Sequence, residues 1–157
     1  LGMVLSGGKS SRIYKSLVYE RKIALNAFGD YSGHSKDPYL FFLGGTAAPG
    51  KDIKEVESAL YEEIEKIKNE PPSEREIQKA KNQIEASFIM GQDSIFFQAE
   101  IAGMFEMLGD WKMKEQYLEG IRKVRPDDLS RVAKKYLYEN NRTVGILIPT
   151  NAVRSEK

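Results

Sequence analysis

Cysteine is absent from the 157 residues, and histidine occurs once, at His34. The first absence excludes a disulfide framework and any thiolate metal site, and it leaves the redox compartment open. The second leaves too few imidazoles for a catalytic zinc centre, which needs three protein ligands rich in nitrogen or sulfur. A site of acids alone would not favour zinc. An excess of one charge is also missing: 24 basic side chains face 23 acidic ones, a formal net of +1. That balance gives neither the footprint of a nucleic-acid binder nor a polybasic membrane signal. No apolar run approaches the roughly 20 residues of a membrane-spanning helix. Nothing signal-like opens the chain at Leu1, so the natural N-terminus is expected to lie elsewhere. No residue pattern marks a cellular compartment. What is present, 41% hydrophobic and 30% charged residues, suits one globular domain with a sizeable core.

The pattern along the chain predicts an α+β domain. Residues 10–20 read as a short helix, capped by Ser10 or Ser11, with Ile13 and Leu17 on its apolar side. Residues 23–31 and 39–47 read as two strands of an antiparallel hairpin, joined by a polar loop from Ser32 to Pro38. Asp52, with Glu55 three residues on, opens a helix whose Ile53, Val56, Leu60, Ile64 and Ile67 share one face. Pro71-Pro72 end it. Ser73 and Glu76 form a second capping box, followed by a helical pattern through Ile77, Ala80, Ile84 and Phe88 toward Ala102. Gly91 and Gln92-Asp93-Ser94 bend or interrupt that pattern. Helices are expected at 111–123 and 127–139, with Pro126 in the first turn of the second. A last strand is expected at 143–149, before a polar tail at 150–157. The order places helices on one face of a thin antiparallel sheet.

One stretch imitates a nucleotide site. Residues 5–12, LSGGKSSR, contain both the opening of an ABC signature and the Gly-Lys-Ser ending of a P-loop. The P-loop wraps phosphate with N–H groups at fixed offsets, and its first glycine belongs where Met3 stands. Gly2 is one place too early, and the strand at 39–47 carries no Walker-B acid. Nucleotide binding is therefore rejected. Gly7-Gly8 instead reads as the end of one helix, with Ser10 capping the next.

The same stretch, continued as LSGGKSSRIYKSLVYERKIAL, resembles the C-terminal half of insulinase/pitrilysin-type zinc metallopeptidases, the family that includes the mitochondrial processing peptidases. An SGG-type turn there precedes Ser-Arg-Leu-Tyr, matched here by Ser11-Arg12-Ile13-Tyr14. Pro71 to Ile77 with Ala80-Lys81-Asn82, then Asp93-Ser94 with Ala99 and Gly103, match later family segments in order. Val124 to Ala133 with Tyr136-Leu137, and the closing TVGILIP, complete the likeness over residues 4–149.

The resemblance implies one metallohydrolase-like domain over residues 1–149, incomplete because its first strands lie upstream of Leu1. It implies no catalytic residue and no metal ligand in this chain, with zinc held by the other half of the parent or by a partner. The family's non-zinc half contributes an arginine and a tyrosine from the pattern Arg-Glu-Lys-x-Gly-Leu-Ala-Tyr, donors to substrate and oxyanion. Aligned without gaps, those places are Val18 and Leu25 here, and neither side chain donates a hydrogen bond. Arg12 and Tyr14 match structural positions of the motif. The expected function is the inactive, non-zinc domain of a zinc protease, forming one wall of a chamber where peptides undergo hydrolysis. Its expected partners are the zinc half, a homologous chain that supplies the missing donors, and peptide substrates. The alternative is a subunit without proteolysis, like the core proteins of respiratory complexes.

Other residues read more plainly. His34 is expected to sit exposed in its loop. Phe96, Phe97 and Phe105 read as core or interdomain contacts, Trp111 as the anchor of a helix start, and Gly44-Gly45 as a bulge rather than a close backbone approach.

Overall fold

The computed structural model describes residues 1–148. The first five-residue helix, α1 (Gly2–Ser6), ends at the Gly7-Gly8 turn, where Gly8 takes a left-handed φ of 92°. Next comes a π-helix over Tyr14–Glu20, where the sequence predicts an ordinary helix. Neither predicted serine caps it: Ser10 Oγ accepts a hydrogen bond from Lys79, and Ser11 Oγ is buried without a partner among the described residues. The wider winding is closed by the Arg21 N–H, which donates to Ser16 O, and the Ile23 N–H, which donates to Leu17 O, both at 3.0 Å. Lys22 makes that turn at φ 53°, as the only non-glycine residue with positive φ among the described residues.

The hairpin follows as expected. Strands β1 (Ala24–Tyr31) and β2 (Phe41–Ala47) pair antiparallel as the two-stranded sheet of the described residues. The register steps from Ala24↔Ala47 to Asn26↔Thr46, so Leu25 is the extra residue of a bulge in β1. The predicted bulge at Gly44-Gly45 is therefore on the wrong strand. Those glycines serve close approach: a Cβ on Gly44 would sit 2.6 Å from the Phe28 ring, and one on Gly45 3.1 Å from Val56.

Five longer helices follow among the described residues, in the regions the sequence reads as helical and with sharper ends. Helix α2 (Ile53–Asn69) starts where Asp52 accepts from the Lys54 N–H at 3.0 Å, and α3 (Glu74–Gly91) starts at the full Ser73–Glu76 capping box. The pattern running toward Ala102 is broken. A turn at residues 92–94 separates α3 from α4 (Ile95–Leu108), because the Ser94 side chain caps the new helix at Phe97 N. Helices α5 (Met113–Lys123) and α6 (Pro126–Tyr136) complete the layer, with Pro126 in the first turn of α6. The expected last strand is corrected: residues 143–148 form no ladder and pair with neither β1 nor β2 among the described residues. Its final residue, 149, and the expected tail at 150–157 lie outside the described residues.

The core explains the layering. Leu5, Ile13, Leu17, Ala59, Ile67 and Ala133 are fully buried, and Val4, Ala27, Val56, Ile77 and Leu129 join them in one cluster. These residues come from α1, the π-helix, one sheet face, α2, the start of α3 and α6. The other sheet face is bare, with Phe28 54% and Phe42 45% exposed. The architecture is α+β, with helices on one face of an antiparallel sheet.

Candidate functional site

The region to which the sequence points runs from the SGG turn through β1. Arg12 lies there, half-buried, and its guanidinium grips Glu76 with two nearly parallel bonds, Nε–Oε1 at 2.8 Å and Nη2–Oε2 at 3.1 Å. Such bidentate pairs fix direction as well as distance. Glu76 has a second task, since the same carboxylate accepts from the Ser73 N–H at 2.9 Å and closes the α3 cap. The Arg12 hydrogen bonds, helped by the Ser73 backbone, hold the Glu76 carboxyl at about 2, well below the usual range. One carboxylate thus joins the Ser-Arg-Ile-Tyr turn to the start of α3.

The two positions to which the resemblance points are Val18, in the π-helix, and Leu25, in the β1 bulge. Val18 is half-buried and packs against the core cluster. Leu25, turned out by the bulge, is 59% exposed. The two aligned positions thus face different surroundings, one packed and one open. Between them, the glycine of the family pattern falls on Lys22, the residue that adopts the left-handed turn. The neighbours Tyr19 and Arg21 are otherwise engaged or open: Tyr19 is 73% exposed, and Arg21 pairs with Glu62 at 2.5 Å. Nothing in this region forms a nucleophile–base pair. Among the described residues, no three or more His, Cys, Asp or Glu side chains gather where a metal could sit.

His34 is placed differently from expectation. It is half-buried, with its ring 5.4 Å from that of Tyr117 and 5.7 Å from that of Phe105. Phe88 and Phe97 extend the cluster, so the tip of the β-hairpin meets α4 and α5 through edge-on and tilted rings, with α3 behind them. Burial pushes the Tyr117 phenol up. Phe105 is core, as read, and Phe97 lies within the ring cluster, whereas Phe96 is 78% exposed. Trp111 precedes α5, its N–H donating to Glu106 at 3.1 Å and its ring lying under Lys114.

Sequence reasoning missed two links and one backbone turn. The Arg12–Glu76 grip joins residues 64 apart, and helical periodicity carries no signal for it. Ser130 Oγ donates to Ile67 O at 2.6 Å, tying α6 to α2. The left-handed Lys22 could have been found, because it stands at the glycine of a quoted pattern.

Comparison with known proteins agrees with this geometry. The family model for the peptidase M16 inactive domain matches residues 1–84. An uncharacterized zinc protease of Rickettsia bellii is 24% identical over 96% of this chain and 36% of its own length. Zinc protease PqqE of Helicobacter pylori is 26% identical over 95% of this chain and 33% of its own. The crystal structure of the inactive peptidase domain of a Bordetella parapertussis protein superposes with a TM-score of 0.85, at 27% identity, over 97% of this chain and 82% of that one. A Helicobacter pylori protease at 23% identity shares the fold, with a TM-score of 0.83 over 89% of this chain and 34% of that one. This chain spans about a third of the length of the curated relatives it matches. No helix among the described residues is long and apolar enough to cross a membrane. With the SGG turn, the Arg12–Glu76 link and the helix-backed hairpin all in place, the chain belongs to the peptidase M16 inactive-domain family.

Proposed function

We propose that this chain is the non-zinc domain of a zinc-dependent endopeptidase and forms one wall of the chamber in which peptides are cleaved. The observation that carries the reading is the match to the inactive-domain family along a chain whose relatives are named zinc proteases. The zinc, in this reading, is held by the zinc-type half of the same parent or by a homologous partner chain. Unfolded peptides are its substrates, admitted by size.

The residues also define how such a domain would work. A chamber wall needs rigidity more than chemistry, and the Arg12–Glu76 grip and Ser130–Ile67 bond supply it by locking helices across the core. Val18 and Leu25 offer no hydrogen-bond donor toward a developing oxyanion. The donors therefore come from a second chain. The same two residues favour a second reading, a structural subunit without proteolysis.

Metal content and peptide cleavage of the full-length parent, with and without the product of the neighbouring gene, separate the two. One zinc per chain, with cleavage that needs the neighbour, is the expected result. Absence of zinc and of cleavage in every combination establishes the structural subunit. Stoichiometric zinc on residues 1–157 alone overturns both.

A further inference from the structure

Helix α4 has two apolar faces, and only one is packed against other described residues. Phe97, Ile101, Phe105 and Leu108 share the inner face, where Phe105 is 5% exposed and Phe97 meets the Phe88 ring edge to face. Phe96, Ala99, Gly103 and Met107 recur at spacings of three and four on the outer face. There Phe96 is 78% and Met107 71% exposed, far from the burial expected of such residues in a finished surface.

Gly103 is the second oddity. Glycine in a helix interior is the worst choice after proline, and it persists where something must come close. A Cβ built on Gly103 would meet nothing within 4 Å. No contact among the described residues accounts for the missing side chain. With Ala99 one turn earlier and bulky Phe96 and Met107 at the ends, the outer face forms a shallow saddle.

The rim is acidic. Glu100 borders the saddle on one side and Glu106 on the other; both are exposed, and neither has a salt bridge among the described residues. Trp111 N–H donates to Glu106 Oε2, which fixes that carboxylate at the edge. Two copies of this face would set acid against acid, so self-association is disfavoured. An extended peptide is disfavoured as well. Helix α4 has no free backbone ladder to offer it, and its N–H and C=O groups would be left unpaired against an apolar surface. A helix brings its own hydrogen bonds.

From this geometry we infer that the outer face of α4 is a docking site for a helix of another protein segment, one with an apolar stripe flanked by lysine or arginine. The smooth passage over Ala99 and Gly103 lets the two helix axes approach closely, while Glu100 and Glu106 select the basic flanks and set the register. The inference does not depend on zinc or on cleavage.

The test uses the whole 157-residue chain and two fluorescein-labelled helical peptides with the same leucine stripe, one flanked by lysines and one by glutamates. Anisotropy at low ionic strength should show the lysine peptide binding at least about tenfold more tightly, with the difference shrinking as salt rises. Glu100→Lys combined with Glu106→Gln, which keeps an acceptor for Trp111, should remove or invert the preference. Gly103→Leu should weaken the lysine peptide by about tenfold or more while leaving the melting midpoint unchanged or higher, since leucine is the better helix former. Equal affinity for the two peptides, or indifference to Gly103→Leu, overturns the proposal. A dimer in sedimentation that Gly103→Leu dissolves overturns it too, in favour of a second copy.

Discussion

The hairpin end of the molecule and the α4–α5 end differ in how each spends its apolar residues. Around the hairpin, α1, the π-helix, α2, the start of α3 and α6 contribute to one contiguous buried cluster. At the other end α5 buries no residue, α4 buries only Phe105, and Ile95, Phe96 and Met107 are open. The contrast separates two uses of hydrophobicity: at the first end it holds the fold, and at the second it is left available to something else. Composition alone would have predicted the reverse, since α4 is richer in apolar residues than α2.

The largest effect expected from this contrast compares one truncation at each end. Leu17→Ala removes a fully buried side chain and should cost about 2–5 kcal/mol. Phe96→Ala, a larger truncation, should change stability by less than about 0.5 kcal/mol. Urea titrations of both variants check this, and equal losses would erase the distinction between the two ends.

Gly44→Ala probes the hairpin itself. Its Cβ would press on the Phe28 ring at 2.6 Å, but that ring is 54% exposed and can swing aside, so the substitution should destabilise by no more than about 1 kcal/mol. Phe28→Leu in the same chain should recover part of that loss in a thermal melt.

A third probe is pH. The folded-state pKa of Glu76 is lowered from 4.5 to about 2, so its contribution is fully present above the unfolded value. That contribution is lost as pH falls from about 4.5 toward 2. Solvent screening at a side chain 38% exposed limits it to about 1–2 kcal/mol. The wild-type chain should therefore lose more stability over this window than Glu76→Gln, a difference that chemical denaturation at two pH values would show or refute.

The smallest effect is a gain. Lys22→Gly relieves a left-handed φ of 53° and should stabilise by about 0.5–1 kcal/mol. A loss in calorimetry would mean that the lysine side chain repays its strain.

Local chemistry explains what was legible in the sequence. Capping at Asp52 and Ser73, the stop at Pro71-Pro72 and the hairpin all depend on neighbours a few residues apart, and all stand in the structure. The family was legible because its motifs keep their order and spacing. The misses share a physical cause, which is dependence on distant partners. Residues 143–148 are composed like a strand, yet a strand exists only where another strand receives its hydrogen bonds. His34 sits in a polar loop by composition, but rings from α4 and α5 come to meet it. The π-helix and the bulge at Leu25 each insert one residue into a regular ladder, and periodicity cannot register a single insertion. For the candidate site, the resemblance points to Val18 and Leu25, and nothing local in the sequence signals that one is packed and the other open.

The neck between α3 and α5 has a consequence for chain entropy. Lys81 Nζ donates to Arg122 O at 2.8 Å, and Arg122 pairs with Glu85, so the chain is pinched where it leaves and re-enters the core. Everything from the middle of α3 to the end of α5 is then a closed excursion, anchored at its base. The free energy of closing such an excursion grows only with the logarithm of its length, about 0.6 kcal/mol for each doubling. Turns can be added to or removed from its far end while the hairpin and its helices keep their positions. The part of the molecule that meets other segments is thereby free to change size, and the part that keeps the fold does not have to change with it.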